Sequence, residues 1–313
     1  MNVVFLGTPH FAVPSLRRLA ASRHRILAVV TNPDRPRGRG RHLAPPPAKE
    51  AALELGLPVL QPESPRQPGL AEQLAGLGAD AFAVVAYSIL PRRLLAVPPA
   101  GAVNLHPSLL PRYRGAAPIV WALFAGETET GITTFYLNPR VDAGDLLLQE
   151  RVGIGPDETA GELEARLAEL GADLVVRTFD GLDDGTLAPQ PQSDAGATRA
   201  PKLSRQDGRL DWTWPAAVLH NRVRGANPVP GAYTGWRGDA LKVHRSAPCD
   251  GVAGAAPGTV LQADGRDGLV VAAGRGALRL LEVQAPGKAA TDGPAFVRGY
   301  RIAAGERLGE APA

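Results

Sequence analysis

A single cysteine in 313 residues, Cys249, leaves the chain without an internal disulfide, and with no Cys or His cluster around it there is no zinc knuckle. A reducing cytoplasm is the expected setting, and no metal is expected. Lysine is scarce as well: Lys49, Lys202, Lys242 and Lys288 are the only four, so 30 of the 34 basic residues are Arg. That bias is explained as readily by base composition as by guanidinium chemistry, and it is given no functional weight. Uninterrupted apolar runs stop well short of the ~18 to 20 residues of a membrane span. The opening Met1-Asn2-Val3-Val4-Phe5-Leu6 lacks a basic leader and is halted by Gly7 and Pro9. A soluble, unexported protein is expected.

What is present is 44% hydrophobic and 21% charged residues, at a length that accommodates two domains. Gly (36) and Pro (30) are abundant without a collagen period, so they read as turns between short elements. The net charge of +3 conceals an uneven distribution. Residues 1–45 hold eight Arg against one Asp (+7), residues 46–200 hold 11 basic against 20 acidic (−9), and residues 201–313 hold 15 against 10 (+5). Two basic regions flanking an acidic middle suit a polyanion-binding protein with a separate catalytic body, and equally an unevenly charged surface.

The apolar run Asn2 to Gly7, the helical spacing of Phe11, Leu16 and Leu19, and the run Ile26 to Thr31 predict a strand–helix–strand unit of a parallel sheet. Helices near 49–55 and 70–77 and strands at 58–60, 81–86 and 102–105 continue the pattern. A helix near 118–124, strands at 133–137 and 146–152, and a long helix over 159–182 follow. Thr159 with Glu162 three residues on is a capping-box start for the last. From about Ala188, Pro189-Gln190-Pro191-Gln192-Ser193-Asp194-Ala195-Gly196 has no periodicity and reads as a linker. Beyond it, an amphipathic segment at 216–223 precedes short strands at 234–236, 241–244, 258–263, 268–273 and 277–284. Gly-containing turns separate these strands, which suggests a small β-barrel of the oligonucleotide-binding (OB) type. The expected division is a Rossmann-like α/β domain over 1–187, a linker over 188–204 and an OB-like β-barrel domain over 205–313.

The turn after the first strand, Gly7-Thr8-Pro9-His10, is neither a dinucleotide-binding nor a P-loop fingerprint. Ligands of open parallel sheets sit beyond the strands' carboxyl ends, which directs attention to Asn104-Leu105-His106-Pro107-Ser108-Leu109-Leu110-Pro111-Arg112-Tyr113-Arg114-Gly115. Strand alternation points Asn104 and His106 to one face, an amide beside an imidazole. Such a pair can bind a developing oxyanion and exchange a proton near neutral pH. A structural His capping a turn is the competing reading. Asp142, in Val141-Asp142-Ala143-Gly144-Asp145, could complete an acid–base set or be an ordinary turn residue. Asn32-Pro33-Asp34-Arg35-Pro36-Arg37-Gly38-Arg39-Gly40-Arg41-His42 reads as a mobile basic loop able to follow a phosphate backbone, or simply as a solvated one.

These segments, in this order, resemble the methionyl-tRNA formyltransferases. The likeness rests on Asn104 and His106, the Ser108 to Pro111 run with Arg114-Gly115, and Asp142 in its Gly turn. That core is common to transferases using 10-formyltetrahydrofolate, so it implies the donor rather than the acceptor. Asp34-Arg35-Pro36 with Gly38, Arg39 and Gly40 looks like the family's basic insertion loop on the initiator tRNA acceptor stem. Pro201-Lys202-Leu203-Ser204, Asp207 to Trp212 and Asn227 to Thr234 look like its link to the C-terminal barrel. Arg140-Val141-Asp142-Ala143-Gly144-Asp145 departs from the commoner Gly-Leu-Asp-Thr-Gly-Asp, and Pro107 stands where Gly is also common; neither change removes a reactive group.

The resemblance implies the formyltransferase fold, initiator methionyl-tRNA as partner and 10-formyltetrahydrofolate as cosubstrate, in a cytoplasmic monomer with no membrane contact. It further implies Asn104 and His106 stabilising the tetrahedral oxyanion, with Asp142 orienting His106 and assisting proton transfer. Donor contacts would come from Val85, Tyr87, Ile89, Ser108, Leu109, Leu110 and Pro111, and tRNA contacts from Arg37, Arg39 and Arg41. Three alternatives stand beside it: a formyltransferase with a small acceptor, a deformylating hydrolase of the same donor, and a non-catalytic RNA-binding protein. The first two leave the basic regions unexplained, and the third leaves the Asn104, His106 and Asp142 set unexplained.

Overall fold

A computed structural model describes residues 1–37 and 42–309, the side chains of Arg37 and His42 excepted. The chain forms two compact units that are not consecutive stretches. The first comprises Met1–Pro118, Glu129–Gly153 and Glu164–Pro201; the second takes Ile119–Thr128, Ile154–Leu163 and the chain from Lys202.

In chain order the first half contains β1 (Asn2–Gly7), α1 (Val13–Ala20), β2 (Arg25–Val30), β3 (Arg35–Arg37), β4 (His42–Ala44), α2 (Pro47–Glu54), β5 (Val59–Leu60), α3 (Leu70–Ala75), β6 (Ala81–Val85), α4 (Arg92–Leu95) and β7 (Ala102–His106). Then come β8 (Arg114–Gly115), α5 (Pro118–Phe124), β9 (Glu129–Tyr136), β10 (Leu146–Gly153), α6 (Ala160–Asp183) and β11 (Arg199–Ala200). The main sheet runs β10-β9-β7-β6-β1-β2-β5. Its five β1, β2, β5, β6 and β7 strands are parallel, whereas β9 is antiparallel to β7 and β10 to β9.

The apolar runs of β1 and β6 have this position because both their faces are covered: Val3 to Leu6 and Ala81 to Val85 are buried throughout. On one face Leu70 and Leu74 of α3 and Leu94 of α4 pack with Val4, Leu6, Phe82 and Val84. Each such large side chain contributes roughly 1.5–3 kcal/mol by leaving water. The expected cap of α6 is present: the Glu162 backbone N–H donates to Thr159 Oγ1 and the Thr159 N–H donates to Glu162 Oε2. Residues 188–200 do not hang free. Leu146 and Gln190 bridge, and β11 pairs with β8, laying this segment along the first unit.

The second unit is built on an antiparallel sheet, as the Gly-punctuated strands led one to expect. Its elements are α7 (Ala216–Ala226), β12 (Ala232–Trp236), β13 (Asp239–Cys249), β14 (Val260–Asp264), β15 (Gly268–Ala272), β16 (Ala277–Gln284), β17 (Thr291–Asp292) and α8 (Gly293–Tyr300), in sheet order β12-β13-β16-β15-β14 with β17 on β16. The register between β13 and β16 shifts on either side of Arg245, as at a β-bulge. Leu219 and Val223 of α7 enter a core with Leu241, Val243, Leu278 and Phe296. The helix α8 is absent from the sequence reading. It is only eight residues long and opens on Gly-Pro, and its start is fixed by the Asp292 side chain, which accepts from the Ala295 N–H at 2.6 Å.

Candidate functional site

The carboxyl ends of β6 and β7 place the chemistry. Asn104 lies opposite Val84 on β6 and Phe135 on β9, and His106 lies opposite Thr133. Although alternation puts both on one face, their surroundings differ. The Asn104 amide is half-buried, lines a small cavity and hydrogen-bonds to none of the described residues. His106 is 4% exposed and stands edge-on to the Phe135 ring.

Two contacts fix the imidazole. Nε2 lies 2.9 Å from the Tyr113 carbonyl, to which it donates, so the neutral ring carries its proton there. Nδ1 then turns its lone pair toward Asp142 Oδ2 at 3.8 Å. Burial pushes the His106 pKa below its ordinary 6.5, while the Asp142 charge and the Tyr113 carbonyl pull the other way. A proton arriving at Nδ1 therefore finds a carboxylate beside it in a poorly hydrated place.

The loop after β7 is shaped to present that carbonyl. The buried Ser108 hydroxyl donates to the Arg112 carbonyl at 2.6 Å, and the Ser108 carbonyl accepts from the Thr133 hydroxyl at 2.6 Å. Gln149 Nε2 donates to the Leu110 carbonyl at 2.7 Å, ahead of a cis Leu110–Pro111 bond. Asp142 itself sits at φ 48° and its Oδ2 accepts from the Gly115 N–H at 2.8 Å. Two residues on, Gly144 admits no side chain: a Cβ there would lie 1.7 Å from the Tyr136 carbonyl oxygen.

A cavity of about 90 Å³ opens beside Asn104 and Asp142, with Tyr87, Ile89, Leu137 and Arg140 in its wall. The Tyr87 hydroxyl is buried without a hydrogen-bond partner among the described residues. Burial pushes its pKa up to about 12, so it stays protonated at neutral pH. An unpartnered hydroxyl and amide, beside the exposed Ile89 and the apolar Leu137, fit the polar edge and the face of a planar heterocycle such as a reduced pterin.

Among the sequence-expected donor residues, Tyr87 and Ile89 meet Asn104 and Asp142 at this cavity. Val85 and Leu110 are buried, Leu109 packs over Gly131, and Ser108 to Pro111 form the turn that carries Tyr113 to His106. Arg39 and Arg41 lie outside the described residues, and for Arg37 the backbone alone is described, in β3. The basic segment enters and leaves as a short β3–β4 ladder, with Arg35 opposite Ala44 and Arg37 opposite His42, where a mobile loop is expected from composition. Its base is anchored: the Asp34 carboxylate accepts from Lys49 Nζ and from Gln61 Nε2, each at 2.8 Å. Sequence reasoning missed Lys49, Gln61, Thr133 and Gln149, which act across distances that no local pattern records.

The formyl transferase family pattern matches residues 1–179, and its C-terminal domain pattern matches residues 202–301. The methionyl-tRNA formyltransferase of Solibacter usitatus is 50% identical over 311 residues, covering 99% of each chain. That of Moorella thermoacetica is 47% identical over 310 residues, again 99% of each. Among solved structures, HypX from Aquifex aeolicus in complex with tetrahydrofolic acid superposes with a TM-score of 0.65 at 16% identity. That match covers 99% of this chain and 48% of HypX, and it speaks for the fold alone.

Proposed function

This chain belongs to the methionyl-tRNA formyltransferases, and from that premise we propose that Asn104, His106 and Asp142 carry the transfer of the formyl group from 10-formyltetrahydrofolate to the α-amine of methionine on initiator tRNA. The reaction forms a bond between the methionine nitrogen and the formyl carbon and breaks the bond from that carbon to N10. One proton leaves the amine and one reaches N10.

Each group has a task set by its position. The Asn104 amide, without a hydrogen-bond partner among the described residues and lining the cavity, donates to the formyl oxygen as negative charge develops there. One such donor is typically worth ~10² to 10³ in rate. His106 Nδ1 takes the proton released by the amine, directly or through one water, and returns it toward N10. Asp142 stabilises the imidazolium in the interval and fixes its orientation. The aminoacyl ester's amine has a lower pKa than a lysine, so a weak base suffices. Tyr87 and Asn104 would hold the pterin's polar edge, with Ile89 against its face; the donor supplies the activated formyl group.

The observation that carries this reading is the placement of His106 Nδ1 3.8 Å from Asp142 Oδ2 beside an amide that has no hydrogen-bond partner among the described residues. Arg37, Arg39 and Arg41 are assigned to the acceptor stem, and the second unit to the body of the tRNA. A monomer acting in the cytoplasm completes the reading; among the described residues no helix is long and apolar enough to cross a membrane. The test supplies purified protein with 10-formyltetrahydrofolate and methionyl-tRNA, with glycinamide ribonucleotide as competitor. Formylmethionyl-tRNA as the dominant product is expected, and preferential formylation of the small acceptor would overturn the assignment.

A further inference from the structure

Residues 190–200 carry no regular pattern, yet two side chains in them, Gln192 and Asp194, touch both loops of the site. Gln192 Oε1 accepts from Arg114 Nε at 2.8 Å and from Arg114 Nη2 at 2.6 Å, while its Nε2 donates to the Gly144 carbonyl at 2.7 Å. Arg114 precedes Gly115, whose N–H holds Asp142 Oδ2, and Gly144 closes the turn that contains Asp142. A single half-buried amide thus ties the loop leaving His106 to the turn bearing its carboxylate. Two further contacts bring the same segment to the same place. The Tyr113 N–H donates to Thr198 Oγ1 at 2.8 Å, and the Arg114 N–H donates to the Thr198 carbonyl at 2.9 Å. The approach is close enough that a Cβ on Gly115 would lie 2.3 Å from the Ala200 carbonyl oxygen.

Glutamine suits this position because it accepts at one end and donates at the other. A carboxylate would keep the guanidinium and face the Gly144 carbonyl with like charge; an apolar side chain would serve neither. Asp194 also reaches Arg114 (2.8 Å) and Arg140 (3.4 Å), but its side chain is 62% exposed, where an ion pair is worth little. We propose that Gln192 is a positioning residue of the reaction, setting the distance between Asp142 and His106 by clamping Arg114 to Gly144. The segment that reads as a linker is then part of the catalytic unit. This rests on the proposed roles of His106 and Asp142.

The experiment compares Gln192→Glu, Gln192→Met, Asp142→Asn and the Gln192→Met/Asp142→Asn double variant in the full chain, reading kcat, KM for methionyl-tRNA and thermal midpoint. Both Gln192 variants are expected to lose about tenfold in kcat with KM changed less than about twofold, since clamping affects reacting geometry rather than tRNA binding. The double variant is expected to be no slower than Asp142→Asn alone, because the two residues act on one step. Should Gln192→Met fail to fold, Gln192→Glu, which retains the arginine pairing, carries the comparison. Normal kcat in both Gln192 variants, or a fully multiplicative loss in the double variant, overturns the proposal while leaving the site intact. Undiminished turnover in Asp142→Asn instead removes the reading on which it rests.

Discussion

The Gly115 backbone N–H donates to Asp142 Oδ2 at 2.8 Å, and this is the carboxylate oxygen that faces His106 Nδ1. The loop that begins at the imidazole therefore returns to fix the charge beside it. Asp142 is oriented by backbone, at a left-handed φ, rather than by a mobile partner. Such an arrangement holds the carboxylate ready for a proton on Nδ1 without placing it in a full ion pair beforehand.

Asp142→Asn keeps the size and removes the charge. It is expected to lower kcat about 10²-fold, in the range of lost acid–base assistance. The Asp142 charge raises the His106 pKa against its desolvation, so the limb of the pH–rate profile set by His106 is expected to move to lower pH. A profile of unchanged position, measured as kcat from pH 5 to 9, would detach Asp142 from His106.

Asn104→Ala removes the amide that lines the cavity without a hydrogen-bond partner among the described residues. A loss of ~10² to 10³ in kcat, or ~2.7–4 kcal/mol, is expected, with KM for methionyl-tRNA unchanged. Steady-state kinetics with saturating donor checks this, and a loss confined to KM would recast Asn104 as a binding group.

Much of this was legible in the sequence, in the places where local pattern decides structure. The continuous apolar runs of β1 and β6 announce strands buried on both faces. Thr159 and Glu162 announce the start of α6, and the alternation of Asn104 with His106 announces a shared face. What escaped depends on partners distant in the chain. That His106 is buried and gives Nε2 to Tyr113 follows from the turn of 107–113, held by Thr133 and Gln149 from β9 and β10. The antiparallel direction of β9 and β10 leaves no trace in their composition. Residues 188–200 look like a linker because their contacts are made by single side chains and by three paired residues, Gln190, Arg199 and Ala200, which produce no periodicity.

Acid stability supplies a test independent of turnover. Burial holds His106 below 6.5, as it does His24, so the unfolded chain binds protons that the folded one does not. The resulting stabilisation is complete above the unfolded value near 6.5 and is lost as pH falls from there toward the lower folded values. The urea midpoint is expected to fall between pH 7 and 5, and to fall less in His106→Asn. Equal pH dependence in the two proteins would remove His106 from that account.

The basic segment 35–41 should govern tRNA use rather than chemistry. Arg39→Ala is expected to weaken methionyl-tRNA binding and to reduce the slope of log affinity against log salt by about one, as for one lost phosphate contact. Lys49→Met loosens the Asp34 anchor at the ladder's base. Both side chains are partly exposed, so a rise in KM of about two- to fivefold with unchanged kcat is expected. Filter binding from about 50 to 200 mM salt tests both, and a flat dependence in the unaltered protein would argue against phosphate contacts there.

The most direct measurement is the single-turnover rate of formyl transfer by His106→Ala, with saturating 10-formyltetrahydrofolate and methionyl-tRNA, beside the affinity of the same variant for methionyl-tRNA. The rate is expected to fall by about 10² or more while the affinity stays within about twofold. A rate near that of the unaltered protein would contradict it.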